Sequence, residues 1–125
     1  DWNFWYAQEG GTEEFGNDAA PAKAAWDGKQ MLQTYWNMYH AAYNGNRAPL
    51  IIGNHFNDWN HNTYTKAIGT FMLGVCGQPD TYCVTFNDLV RWMDAQSPAV
   101  LQQLQDLPPQ LPQKGVDDKP VPGKP

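Results

Sequence analysis

The chain has 125 residues and a formal net charge of −5, with its eight Lys and Arg scattered along its length. That length supports one small domain with a single core. No basic stripe is available to neutralise a phosphate backbone, which sets nucleic acid aside as a partner, and no apolar run reaches the roughly 18 residues of a membrane span.

Residues 1–7 are aromatic and free of breakers, which predicts a strand. The chain opens at Asp1 with neither Met nor a charged-then-apolar leader, as expected of a processed form or an excised segment. Residues 8–20, rich in Gly, Glu and Asp, read as an exposed loop. Asp18 or Ala20 followed by Pro21 marks a helix start, because proline fits the first turn, where its missing N–H had no partner. Ala25, Leu32, Tyr35, Trp36, Tyr39 and Tyr43 then recur at helical spacing, and Asn44-Gly45-Asn46 ends the run. The aromatic stripe on this helix reads as core packing.

Pro49 and Gly53 bound a short apolar run, Leu50-Ile51-Ile52, which predicts a buried strand over 48–53. A polar loop follows, and then a second helix that Asn62 would cap, with Tyr64, Ile68, Phe71, Met72 and Val75 on one face and Gly77 at its end. Residues 82–86 read as a third strand. Thr85 or Asn87 caps a short helix bearing Leu89, Val90, Trp92 and Met93, and Ser97-Pro98 opens another with Leu101 and Leu104. Beyond Asp106, prolines and charges preclude a packed core, so 107–125 is expected to be a disordered or extended tail. The alternation predicts an α/β fold of parallel strands with right-handed crossovers. Three strands and one layer of helices look like the back part of a larger α/β barrel or sheet.

Cys76 and Cys83 flank a turn-rich loop containing Gly77, Pro79 and Asp80. Such a loop can bring their Cα atoms within the ~4.4–6.8 Å of a disulfide, and with it points to an oxidising compartment. The alternative is a pair of free buried thiols. Closing the loop would remove on the order of 2–3 kcal/mol of denatured-state freedom.

The chemistry concentrates just past the 48–53 strand, where His55, Asn57, Asp58 and Trp59 follow one another, although a plain connecting loop has the same composition. His55, Asp58 and His61 have the spacing His-x2-Asp-x2-His, which could close on a metal, although loops of this length rarely do so unaided. His40 lies mid-helix and reads as a surface or core ring. No Ser sits in a Gly-x-Ser-x-Gly turn and no Gly-rich phosphate loop is present. General acid–base work suits His55 best, with Asp58 or Asp1 as the carboxylate that holds the ring. Trp5 and Trp59 would wall the pocket and stack on a sugar.

The run Arg-Ala-Pro-Leu-Ile-Ile-Gly-Asn-His-Phe-Asn-Asp-Trp-Asn (47–60), Tyr64, the Val-Cys-Gly-x-Pro-x3-Cys-Val-Thr-Phe segment (75–86), the stretch 89–94 and the opening Asp-Trp-Asn-Phe-Trp-Tyr together resemble the C-terminal half of exported bacterial polysaccharide deacetylases. These are NodB-like proteins of carbohydrate esterase family 4. The resemblance covers about residues 1–106. It implies a deformed (β/α) barrel that hydrolyses N- or O-acetyl groups of a polysaccharide through a divalent metal, zinc being the usual choice. It also implies a periplasmic or secreted location. Ile51-Ile52-Gly53-Asn54-His55 matches the family strand whose His acts as general acid. Asp1 and Trp5 fit an Asp-x3-Trp motif whose carboxylate tunes that His and whose Trp lines the groove. Trp59 and Asn57 are placed beside the substrate. The family's metal-binding Asp, its His pair and its base Asp have no counterpart in this chain, so the resemblance implies that the rest of the deacetylase domain supplies them. Two other readings stay open. One is a non-catalytic carbohydrate-binding module using Trp5, Trp59 and nearby Tyr; the other is a structural domain whose aromatics are all core.

Overall fold

The computed structural model describes residues 1–12 and 14–108. The tail expected over 107–125 lies, from residue 109 onward, outside the described residues. The first element, α1 (Trp2–Glu9), is a helix where the sequence predicts a strand. The Asp1 carboxylate accepts from the Trp2 N–H at 2.7 Å as an N-cap. Gly10, at φ 66°, closes the helix by donating to the Trp5 and Tyr6 carbonyls. Aromatic β propensity is therefore overridden by a cap at each end. Trp5, Gln8 and Glu9 turn inward from this helix, while Asn3 and Tyr6 face solvent.

Pro21 opens α2 (Pro21–Asn44), which buries Ala24, Asp27, Gly28, Met31, Tyr35 and Tyr39 along one stripe. Ala25 lies off that stripe and is exposed. Past its end the chain reverses at Arg47 (φ 60°), whose guanidinium donates to Tyr43 O at 3.1 Å and to Asp80 O at 2.8 Å. The same guanidinium stacks on the Tyr43 ring at 4.0 Å. A further helix, α3 (Trp59–Val75), packs on α2 through Tyr64, Ala67, Phe71 and Val75. Its opening is unusual: Asn60, His61 and Asn62 all have positive φ (54°, 58° and 60°), a left-handed turn that costs roughly 1–2 kcal/mol per residue. Asn62 therefore sits inside this turn and not at a conventional cap.

The α2–α3 contact is close because Gly28 faces Thr63. A Cβ on Gly28 would overlap the Thr63 hydroxyl and fall 3.2 Å from the Thr63 carbonyl oxygen. Gly28→Ala is expected to lower stability by about 1–3 kcal/mol, reversing the usual helix gain from Ala. Urea unfolding measures this, and Thr63→Ala in the same chain should recover part of the loss. A more stable Gly28→Ala protein would contradict the close packing.

Two short helices complete the order, α4 (Phe86–Asp94) and α5 (Pro98–Gln105). Thr85 and Asp88 form a reciprocal capping box on α4, and the Ser97 side chain caps α5. Neither helix contributes a buried residue. Cys76 and Cys83 are joined in a disulfide with Cα atoms 5.5 Å apart.

The described residues thus form five helices and no strand, so the α/β architecture of parallel strands and the barrel portion predicted from the sequence are not what the chain adopts. The physical reason lies in the two remaining strand segments. Residues 48–53 keep a period-two pattern: Leu50 and Ile52 rest on the helical core while Ile51 is 64 % exposed. Across residues 82–86, Tyr82, Val84 and Phe86 all face solvent. A strand is stabilised by a ladder with a neighbour, and no described segment pairs with either. No described helix is long and apolar enough to cross a membrane.

Polar groups knit α1, α2 and α3 together beneath this core. The Asp27 carboxylate, 1 % exposed, accepts from Asn60 Nδ2 at 2.9 Å and from Lys23 Nζ at 3.1 Å. Lys23 also pairs with Glu9. Burial pushes the Glu9 carboxyl up against the pull of Lys23, and the hydrogen bond to Glu9 raises Lys23 in turn. Tyr64 Oη donates to Gln8 Oε1 at 2.8 Å, and burial pushes the Tyr64 hydroxyl up to about 12. Below pH ~10 both folded and unfolded chains hold the Tyr64 proton, and stability is unaffected by it. Between ~10 and about 12 only the unfolded chain ionises, so stability falls as pH rises, by on the order of 2 kcal/mol. Tyr64→Phe is expected to flatten this alkaline slope and to remove the latest-titrating tyrosinate absorbance. An unchanged slope would exclude Tyr64 as its source.

Candidate functional site

The N-cap of α1 is also the anchor of the site. Besides capping Trp2, Asp1 accepts the His55 backbone N–H at 2.8 Å through Oδ2 and faces His55 Nδ1 at 2.8 Å through Oδ1. Its side chain is 4 % exposed whereas that of His55 is 46 % exposed. A carboxylate only accepts, so Nδ1 is the donor in this contact. The arrangement is a buried carboxylate, itself held by two backbone donors and the positive end of α1, orienting a solvent-facing imidazole.

Two indoles back this pair. The Trp59 ring lies 5.2 Å from that of His55, tilted by 52°. Trp5 stacks parallel to Trp59 with centroids 6.4 Å apart. Trp5 is 2 % exposed, donates from Nε1 to Thr12 O at 3.0 Å, and is pressed by Gly11 and Gly16. It therefore supports Trp59 from below and does not wall the pocket at the surface as the sequence predicts. Asn57 is exposed, its carbonyl accepting from Thr65 Oγ1 at 3.3 Å, and it stands apart from the dyad.

Beside the dyad an open cleft of about 140 Å³ is lined by Trp5, Glu14, Phe15, Asp18, Asp58 and Trp59. The left-handed turn forms its support. Asp18 Oδ1 accepts the Asn60 N–H at 2.7 Å, the Ala19 N–H reaches Asn60 Oδ1 at 3.0 Å, and His61 Nε2 meets Ala19 O at 2.9 Å. These bonds offset the cost of three left-handed residues, of types that tolerate that region better than most. Asn60 and Asp27 did not stand out in the sequence, and Asp18 stood out there only as a possible helix start. The Asn-His-Asn triplet, rich in residues that accept positive φ, was the one available signal.

Of the predicted site residues, the structure thus brings together Asp1, His55, Trp5 and Trp59. His55, Asp58 and His61 do not converge: His55 is engaged by Asp1, and His61 Nδ1 lies 3.6 Å from Asp18 Oδ2. Among the described residues no group of three His, Cys, Asp or Glu side chains is placed to hold a metal ion. The donors present therefore do not fit the divalent metal that the resemblance implies. Comparison with protein-family models, curated proteins and solved structures finds no match to this chain.

Proposed function

We infer that the Asp1–His55 pair is the proton-donating part of a hydrolytic site that removes acetyl groups from a polysaccharide, with metal ligands supplied by residues other than those described. The observation that carries this reading is the dyad itself, a carboxylate 4 % exposed set 2.8 Å from the Nδ1 of a half-exposed imidazole. A ring oriented in this way delivers a proton from Nε2 to a leaving amine or alkoxide. Trp59 beside it supplies an apolar wall for a sugar ring. The resemblance over residues 1–106 supplies the substrate class. The bared apolar residues Tyr82, Val84, Phe86, Val90 and Trp92 support the rest of a deacetylase domain as the chain's partner. The Cys76–Cys83 bridge supports a periplasmic or secreted location. Burial of Trp5 counts against a carbohydrate-binding module that would need both indoles at the surface.

The test is acetate release from an N-acetylated chito-oligosaccharide by the full-length gene product supplied with zinc or cobalt. His55→Ala is expected to lose turnover. The 125-residue chain alone is expected to release no acetate above background. Undiminished turnover in the His55→Ala protein would overturn the reading, and His55-dependent turnover by the chain alone would overturn the placement of the metal ligands.

A further inference from the structure

Glu9, Lys23 and Asp27 form a polar cluster that the dyad does not use. It joins the end of α1 to the opening turns of α2. One ammonium serves two carboxylates there: Lys23 Nζ pairs with Glu9 and lies 3.1 and 3.2 Å from the two oxygens of Asp27. It also reaches the Gln8 carbonyl at 3.4 Å, so three N–H groups face four acceptors. The Asp27 side chain is 1 % exposed and that of Glu9 12 %. The cluster therefore encloses one negative charge more than it neutralises, which burial penalises. Taking up one proton removes the excess. The hydrogen bonds decide which carboxylate takes it. Asp27 accepts from Lys23 and from Asn60 Nδ2 at 2.9 Å, whereas Glu9 relies on Lys23. Burial of the Glu9 carboxyl acts in the same direction. Glu9 and Asp27 also lie within hydrogen-bond reach of each other. A protonated Glu9 donates to the Asp27 carboxylate, a bond that two carboxylates cannot make. From α3 the cluster is faced by Tyr64, which donates to Gln8 and keeps its proton to about 12, and Asp18 acts on that tyrosine from the loop before α2.

We propose that Glu9, Lys23 and Asp27 form an acid-set latch: a proton on Glu9 seats the end of α1 on α2, and its loss loosens α1. An eight-residue helix does not persist unaided, so its seating on α2 governs it. Asp1 caps the far end of the same helix and holds His55, which carries the effect to the dyad. The sign follows from linkage. In acid, below the ordinary glutamate range, folded and unfolded chains both carry the Glu9 proton. Above that range the unfolded chain releases it first, so stability falls as pH rises until the folded carboxyl has ionised too. The latch concerns the seating of α1 and does not depend on what His55 acts on.

The test is carboxyl-carbon NMR of the 125-residue chain labelled at glutamate, titrated from acid to neutral pH. The signal that Glu9→Gln removes is expected to titrate above the other glutamates. Asp27→Asn takes away the excess charge and keeps an acceptor for Lys23, so it should bring the Glu9 midpoint down. The seating of α1 is read from the Trp5 Nε1 proton, which is bonded to Thr12 O. Its protection, corrected for intrinsic exchange, should fall by up to about tenfold per pH unit across the Glu9 midpoint and lose that dependence in Glu9→Gln. Glu9 titrating with the other glutamates, a midpoint unmoved by Asp27→Asn, or a Trp5 dependence that survives Glu9→Gln would each overturn the proposal. Should Asp27→Asn fail to fold, Lys23→Met takes its place. With the ammonium gone the Glu9 midpoint should rise further, and a midpoint that stays or falls would overturn the latch. None of these readouts involves acetate release, so a failure here and a failure of the deacetylase reading are told apart.

Discussion

Trp5→Ala is expected to cost about 3–5 kcal/mol, the range for truncating a buried aromatic ring. Against a typical total of roughly 5–15 kcal/mol, that is a large share of the fold's stability. Three contributions add at this position. The indole fills the space between α1, the Gly11–Gly16 loop and Trp59. Its N–H satisfies the Thr12 carbonyl at 3.0 Å. It also pins an eight-residue helix that is too short to persist unaided. Because Asp1 caps that helix, freeing α1 also frees His55, and the near-ultraviolet dichroism of the indole pair should vanish with it. Trp5→Phe, which keeps a ring and loses the N–H, should retain α1 at a smaller cost. Denaturant midpoints measure both, and a Trp5→Ala protein within about 1 kcal/mol of the parent would show that the loop collapses into the space.

The second large effect is on turnover. Under the proposed deacetylase reading, His55→Ala in the full-length gene product is expected to lower kcat about 10²–10⁴-fold, the usual contribution of a positioned general acid, with KM nearly unchanged. On the same reading Asp1 acts through His55 as a positioning residue. Asp1→Asn keeps the Oδ1 that caps Trp2 and faces Nδ1, so α1 survives, but it removes the charge and the second oxygen, which accepts the His55 N–H. The expected signature is a fall in kcat with KM nearly unchanged. Asp1→Ala should add a capping loss of roughly 0.5–2 kcal/mol. Combining Asp1→Asn with His55→Ala should cost little more than His55→Ala alone, because the two groups act as a unit. Fully additive losses would mean that Asp1 serves the fold and not the imidazole.

Helices that announce themselves by punctuation were legible from the sequence. Pro21 and Asn44-Gly45 bracket α2, Thr85, one of two cap candidates, starts α4, Ser97-Pro98 starts α5, and the Cys76–Cys83 loop closes. The same grammar was present for α1 in Asp1 and Gly10, but the density of rings between them reads as strand. The two other strand readings failed differently. Leu50, Ile51 and Ile52 do alternate, yet alternation marks a segment ready to pair, and pairing depends on a neighbour elsewhere in the chain. His55 was legible because an imidazole past an apolar run is chemically conspicuous, whereas the sequence left both Asp58 and Asp1 open as its partner and the structure pairs it with Asp1. The cleft was not: Asp18 meets Asn60 42 positions away, and Asp27 meets Asn60 33 positions away. Nothing local foretells either contact.

The absence of buried residues in α4 and α5 divides the molecule into parts of unequal cooperativity. Amide protons in α2 and α3 sit under a shared core and exchange only when that core opens. Those of α4 and α5 are guarded by caps alone, and local fraying suffices to release them. The disulfide stands at the seam, so a protease that enters after Cys83 would leave the dyad, the cleft and the helical core as one retained piece.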